Sequence, residues 1–269
     1  MRSSWPAAGA LAAVLLGQTG LAHAYRRSTV DDDPSRPPLF WSTRRVTVHL
    51  ASSSAPGVAP EDLREAFRAS LRAWSLAGGC TDLTLVDGGE AGGLTTNLER
   101  TTPDSENRVV FRSADWPPEL GPETLALTSA VYRRSTGEIV DADIDLNAVD
   151  HVWSASVVPL AGHDDAQNTV THELGHAIGF AHSDDPAATM FASAEPEETA
   201  KRDLGDDDVW AVCDVYPGAT PRGPRSSCGV ASGRRPGWPP LAAALILAAF
   251  RRRGARRARR AGPSDGTAS

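Results

Sequence analysis

The stretch His172-Glu173-Leu174-Gly175-His176-Ala177-Ile178-Gly179-Phe180-Ala181-His182 constrains the fold of this chain more than any other. Its first two histidines are four residues apart, which places both on one face of a helix and predicts a helix through them. The third comes six residues later and would leave that face if the helix continued. Gly179 resolves the conflict: a residue without Cβ takes positive φ, ends the helix and lets the chain return His182 to its partners. Three imidazoles converging on one point suit Zn²⁺, and a catalytic zinc keeps a fourth position open beside three protein ligands. Glu173 adjoins the first ligand without joining the set, where it can act as base toward an activated water. A core helix would use Leu174, Ala177, Ile178 and Phe180, but it has no need of three His, a Glu and a Gly at these offsets.

The segments before the motif supply a scaffold. Residues 45–50 (Arg-Val-Thr-Val-His-Leu) alternate as a strand. Pro60-Glu61-Asp62 opens a helix whose apolar stripe is Leu63, Phe67, Leu71 and Trp74, and Gly78-Gly79 closes it. Residues 83–86 and 109–111 read as short strands around a polar, Gly-rich loop, and 125–132 with 138–146 as a hairpin. On the second hairpin strand Asp141, Asp143 and Asp145 share one face, opposite Ala142, Ile144 and Leu146. The order of strand, helix, several strands and two helices predicts a single α+β domain.

The formal charge of −7 averages unlike segments. Residues 1–24 read as a signal peptide: Arg2, an apolar run from Ala7 to Leu16, then Ala22-His23-Ala24 as the cleavage site. A short N-terminal segment (25–38) leads into the domain at 39–217, and a linker (218–240) carries Cys228. Residues 241–269 combine a short apolar run with an Arg-rich end. Between the two ends, residues 25–227 hold 17 basic against 33 acidic groups, net −16. That balance excludes nucleic acid as the partner, because phosphate binding needs clustered Lys and Arg. The apolar run after 240 is about half the roughly 20 residues a spanning helix requires. In its order of Cys228, apolar run and Arg cluster, the end resembles the MYXO-CTERM type of sorting tail. That resemblance implies processing at Cys228 and an exported product, secreted or anchored at the cell surface, touching membrane only through this tail.

The zinc motif itself resembles the elongated motif of the metzincin metallopeptidases, and its surroundings resemble their matrixin branch. Ser183 follows the third His, Met190 comes eight residues after His182 where the family has its Met-turn, and residues 204–216 are similar to its final helix. The resemblance implies a twisted, mixed five-stranded sheet with an active-site helix and a C-terminal helix. It further implies one catalytic Zn²⁺ on His172, His176 and His182, Glu173 as catalytic base, and endopeptidase action by a monomer. The strand around 127–131 would then be the sheet edge that receives an extended protein or peptide substrate, with an internal strand as the alternative that alternation does not separate. Two features depart from the branch: Met190-Phe191-Ala192 lacks the usual proline, and residues 25–38 hold no latency Cys. By family analogy a structural Ca²⁺ could draw on Asp141, Asp143, Asp145, Asp150, Asp164 and Asp165, although a solvated acidic surface is the alternative. With Cys228 assigned to the tail, Cys80 and Cys213 remain either as a disulfide or as two buried thiols. The resulting expectation is an exported zinc endopeptidase. The alternatives are a catalytically silent zinc-containing surface-binding module and a zinc hydrolase acting on a non-peptide bond.

Overall fold

A computed structural model describes residues 24–100, 102–218 and 243–252. Most of the signal segment, Cys228 and most of the Arg cluster lie outside the described residues. The sheet is built from β2 (Arg45–Leu50), β3 (Thr84–Glu90), β4 (Asn107–Arg112), β5 (Thr124–Arg133) and β6 (Ile139–Asn147), in the order β3-β2-β4-β6-β5. Pairings from β3 through β6 are parallel, and β5 joins β6 antiparallel, so these five strands form the expected mixed sheet.

Two further strands extend it beyond β5. β11 (Ala243–Arg252) pairs antiparallel with β5, and β10 (Ser193–Ala194) pairs parallel with β11. Among the described residues the sheet therefore has seven strands, and the strand expected at its edge is covered. An unpaired strand as long as β5 exposes a row of N–H and C=O groups, and the C-terminal apolar run meets that demand. The expected tail is thus, over these ten residues, a strand of the domain.

Helices α1 (Pro60–Ser75) and α2 (Ala166–Ala177) lie side by side on the sheet. The predicted stripe of α1 is buried throughout, with Leu63, Phe67, Leu71 and Trp74 at most 3% exposed. These side chains pack into one core with Val46, Val48, Leu85, Ile144, Leu146 and Leu174. Full burial of each large side chain contributes roughly 1.5–3 kcal/mol. Between β6 and α2 run β7 (Trp153–Ser154) and β8 (Asp164–Asp165), a parallel pair. Asp165 caps α2 by accepting from the Asn168 N–H at 2.7 Å.

The opposite face of β6 is polar yet sealed. Asp141, Asp143 and Asp145 are 0% exposed, so these acids are not solvated. Asp141 accepts from the N–H groups of Asp104 and Ser105, and Asp143 from those of Asn97 and Arg108. Asp145 takes the Thr96 hydroxyl and Arg112 Nε, the latter at 2.6 Å. The polar loop after β3 folds back over the sheet because its backbone donors find these carboxylates. The other acids are similarly engaged: Asp150 with Asn147, Asp164 with His151, Asp165 with Arg202.

Residues 25–38 belong to the domain. β1 (Arg26–Arg27) pairs antiparallel with β9 (Phe180–Ala181), and the Ala24 N–H donates to Asp207 at 2.8 Å. A two-residue strand carries no periodicity, so this segment could not be read from composition. The last helix, α3 (Asp206–Val215), is tied to the end of α1 by a Cys80–Cys213 disulfide with Cα atoms 5.3 Å apart. Of the two readings open for these cysteines, the structure has the bridge.

Candidate metal centre

Helix α2 carries His172 and His176 one turn apart, and it ends where the motif requires. Gly179 has φ +96°, and a Cβ there would lie 2.5 Å from the Leu39 carbonyl oxygen, so only glycine fits this turn. The carbonyls freed at the helix end find buried donors: Trp41 Nε1 on Ala177 and the Tyr216 hydroxyl on Ile178. Nearly two turns earlier, Trp74 Nε1 donates to the Thr171 carbonyl at 2.8 Å. Three side-chain donors therefore hold the helix and its end in place.

Beyond the turn the chain brings His182 back. The ring centroids of His172, His176 and His182 lie 4.7–5.2 Å from one another, and Nε2 of His176 is 3.2 Å from Nε2 of His182. Two rings are oriented from behind: His172 Nδ1–H donates to the Thr189 carbonyl at 2.6 Å, and His176 Nδ1–H to that of Phe180 at 2.8 Å. Donation from Nδ1 leaves Nε2 as the lone-pair nitrogen, the tautomer a metal ligand needs. His172 Nε2 is buried with no hydrogen-bond partner. Burial, then the neighbouring imidazoles, holds His172 well below the ordinary histidine value and brings His176 to about 3. Burial lowers His182 as well. Three neutral imidazoles turned on one another with an unmet acceptor nitrogen fit Zn²⁺. Among the described residues no other group of three His, Cys, Asp or Glu converges in this way.

Glu173 is fully buried. Its Oε2 accepts the Thr128 hydroxyl at 2.5 Å, and its Oε1 has no partner. Burial drives this carboxyl up to about 8 against the pull of the Thr128 bond, and Asp145 adds to the rise. A nearby cation would oppose that shift. Met190, 2% exposed, lies against α2, where a Cβ on Gly175 would stand 2.1 Å from its sulfur. Its segment is held without the proline that the sequence lacks. Asp208 on α3 accepts from the N–H groups of Thr189 and Met190 at 2.6 and 3.1 Å, and Ser183 N–H donates to the Met190 carbonyl. The Ser183 hydroxyl is in turn held by Asp207 at 2.7 Å.

With this geometry in view, residues 118–217 match the family model described as Matrixin, a peptidase family. Over those residues the chain is matrixin-like. Relatives agree over shorter stretches. The protein named probable matrix metalloproteinase 095L, from Invertebrate iridescent virus 3, is 40% identical over 87 residues, 32% of this chain and 22% of its own length. Metalloendoproteinase 1-MMP of Arabidopsis thaliana is 42% identical over 52 residues, 19% of this chain and 14% of its own. The matches thus span less than a quarter of these curated relatives.

Of the expected site residues, His172, His176 and His182 converge, Glu173 adjoins His172 on α2, Met190 packs against Gly175 of the same helix, and Cys80 and Cys213 form the bridge. Three contributors escape the motif: Thr128, which holds Glu173, Thr189, whose carbonyl orients His172, and Asp208, which fixes the Met190 turn. Thr128 stands 45 residues before Glu173, and no spacing rule links a strand hydroxyl to a helix carboxylate. Asp208 did carry a signal, since an acid one turn inside a helix start commonly serves backbone N–H groups.

Proposed function

We propose that this protein is an exported zinc-dependent endopeptidase. The observation that carries the reading is the buried, partnerless Oε1 of Glu173 beside three imidazoles whose Nε2 atoms converge. His172, His176 and His182 would hold Zn²⁺ through Nε2. When bound, the metal would polarise the scissile carbonyl and make water a competent nucleophile at neutral pH. Glu173 accepts the proton of the attacking water and delivers it to the leaving amine nitrogen. Thr128 keeps that carboxylate aimed, and the surrounding apolar core excludes bulk water. The substrate is an extended segment of protein or peptide laid antiparallel along β5, where main-chain hydrogen bonds supply affinity without demanding a sequence.

The signal-like residues 1–24 support export, as does the disulfide, which persists in oxidising compartments. The order around Cys228 supports processing there, with a product secreted or held at the surface. No helix among the described residues is long and apolar enough to cross a membrane. The protein acts as a monomer in this reading, and calcium plays no part in the step.

Glu173→Ala tests the assignment. Zinc content measured by elemental analysis should stay near one per chain, while hydrolysis of a peptide library should fall by at least about 10²-fold, the lower range for an acid–base residue. Zinc retained with peptidase activity intact would refute Glu173 as the base.

A further inference from the structure

β11 lies where an extended substrate would lie. It runs antiparallel along β5 from Ala243 opposite Arg133 to Phe250 opposite Ala126. Its far side is bordered by β10, with Ser193 opposite Arg251 and Ala194 opposite Arg252. In this register Ala248 is opposite Thr128, whose hydroxyl holds Glu173, two positions before Phe250. Phe250 is fully buried, and its ring stacks on the His172 imidazole with centroids 4.0 Å apart and planes inclined by 28°. The Lys201 ammonium lies 5.6 Å from the centre of the same ring. Lys201 is itself buried, donating to the Ser193 carbonyl on β10 and paired with Glu198. The aromatic side chain is thus held between a candidate zinc ligand and a fixed cation. A register shift falls between Phe250 and Arg251, immediately after the anchored ring.

We propose that residues 243–252 are an inhibitory C-terminal segment that fills the substrate cleft in cis, with Phe250 as its anchor on His172. This rests on the endopeptidase reading above. The segment takes the main-chain groups of β5 that a substrate needs and covers the face of His172, so substrate and segment exclude each other. Tethering makes a weak contact sufficient. A linked segment is presented at an effective concentration of about 1 mM, so an untethered affinity of about 0.1 mM would still keep the cleft closed about ten times as often as open. Charge favours the same docking, because the strand leads into a basic end while residues 25–227 carry net −16. Cutting the chain between 219 and 242 would release the segment, so the expected processing at Cys228 would also activate the enzyme. Latency would then come from this segment.

The test uses the full chain with a specific protease site inserted near residue 230, cut after folding and diluted to micromolar concentration. Amide hydrogen exchange over residues 124–133 should accelerate on cutting, and hydrolysis of a fluorogenic peptide should rise roughly 10-fold. Phe250→Ala in the uncut chain should give the same two changes. A synthetic peptide of residues 243–252, added to the cut protein, should reverse both with half-effect near 0.1 mM. Exchange that is unchanged by cutting and by Phe250→Ala would overturn the proposal. Faster exchange in an active protein whose rate does not rise would overturn the inhibitory role. Faster exchange with no peptidase activity in either form would support the docking while refuting the endopeptidase reading.

Discussion

Thr128 shows how far the chemistry of a motif depends on a residue outside it. Its hydroxyl donates to Glu173 Oε2 at 2.5 Å and leaves Oε1 as the only oxygen of that carboxylate without a partner. One oxygen is restrained and the other is free to take a proton. Thr128→Val should lower kcat/KM about 10-fold with zinc content unchanged, the lower range for outer-shell partners of a metal site. Thr128→Ser, which keeps the donor, should recover most of the loss. A valine variant with full activity would show that packing alone orients Glu173. The histidines follow the same logic, since the backbone carbonyls of Thr189 and Phe180 decide which nitrogen of each ring faces the centre.

At the scale of elements, β6 carries two opposite requirements on its two faces. Ala142, Ile144 and Leu146 enter the core, while Asp141, Asp143 and Asp145 receive donors from the loop after β3 and from β4. Burial first, and the nearby Asp141 second, pushes Asp143 up to about 7, whereas a solvated Asp titrates near 3.9. Between those values the folded chain keeps a proton that the unfolded chain has lost. The stabilisation from Asp143 is therefore fully present below about pH 4 and disappears as pH rises through about 7. Asp143→Asn removes that dependence. Its Tm relative to the parent should climb between pH 5 and pH 8 when both are followed by circular dichroism, and parallel curves would exclude the coupling. The alternation predicted which residues share each face, but not that a loop would bury the acidic one. The donors are mostly backbone N–H groups, which every non-proline residue possesses and no side-chain pattern marks.

Across the whole molecule, distant segments are joined by few links. The Cys80–Cys213 bridge spans 133 positions and fastens α3, which holds the Met190 turn, to the end of α1. In the chain-entropy account a loop of that size contributes about 5 kcal/mol. Reducing it should lower Tm by on the order of 10 °C for a domain of this size. A reduced protein that melts with the oxidised one would show that the rest of the domain already constrains both ends. The sequence alone pointed to the three converging histidines, the Glu beside them, the helix-ending glycine and the α+β class. All of these are local, because the α-helix period and a single positive φ bring His172, His176 and His182 together within eleven residues. Tertiary structure decided the rest: Thr128 behind Glu173, the sealed carboxylates, and Phe250 against His172. Each joins segments from 33 to 78 residues apart, where contact depends on strand order and register rather than on any repeat along the chain. An apolar run of ten residues is equally suited to a buried helix, a core strand or a sheet edge. Only the unpaired side of β5 selects among them.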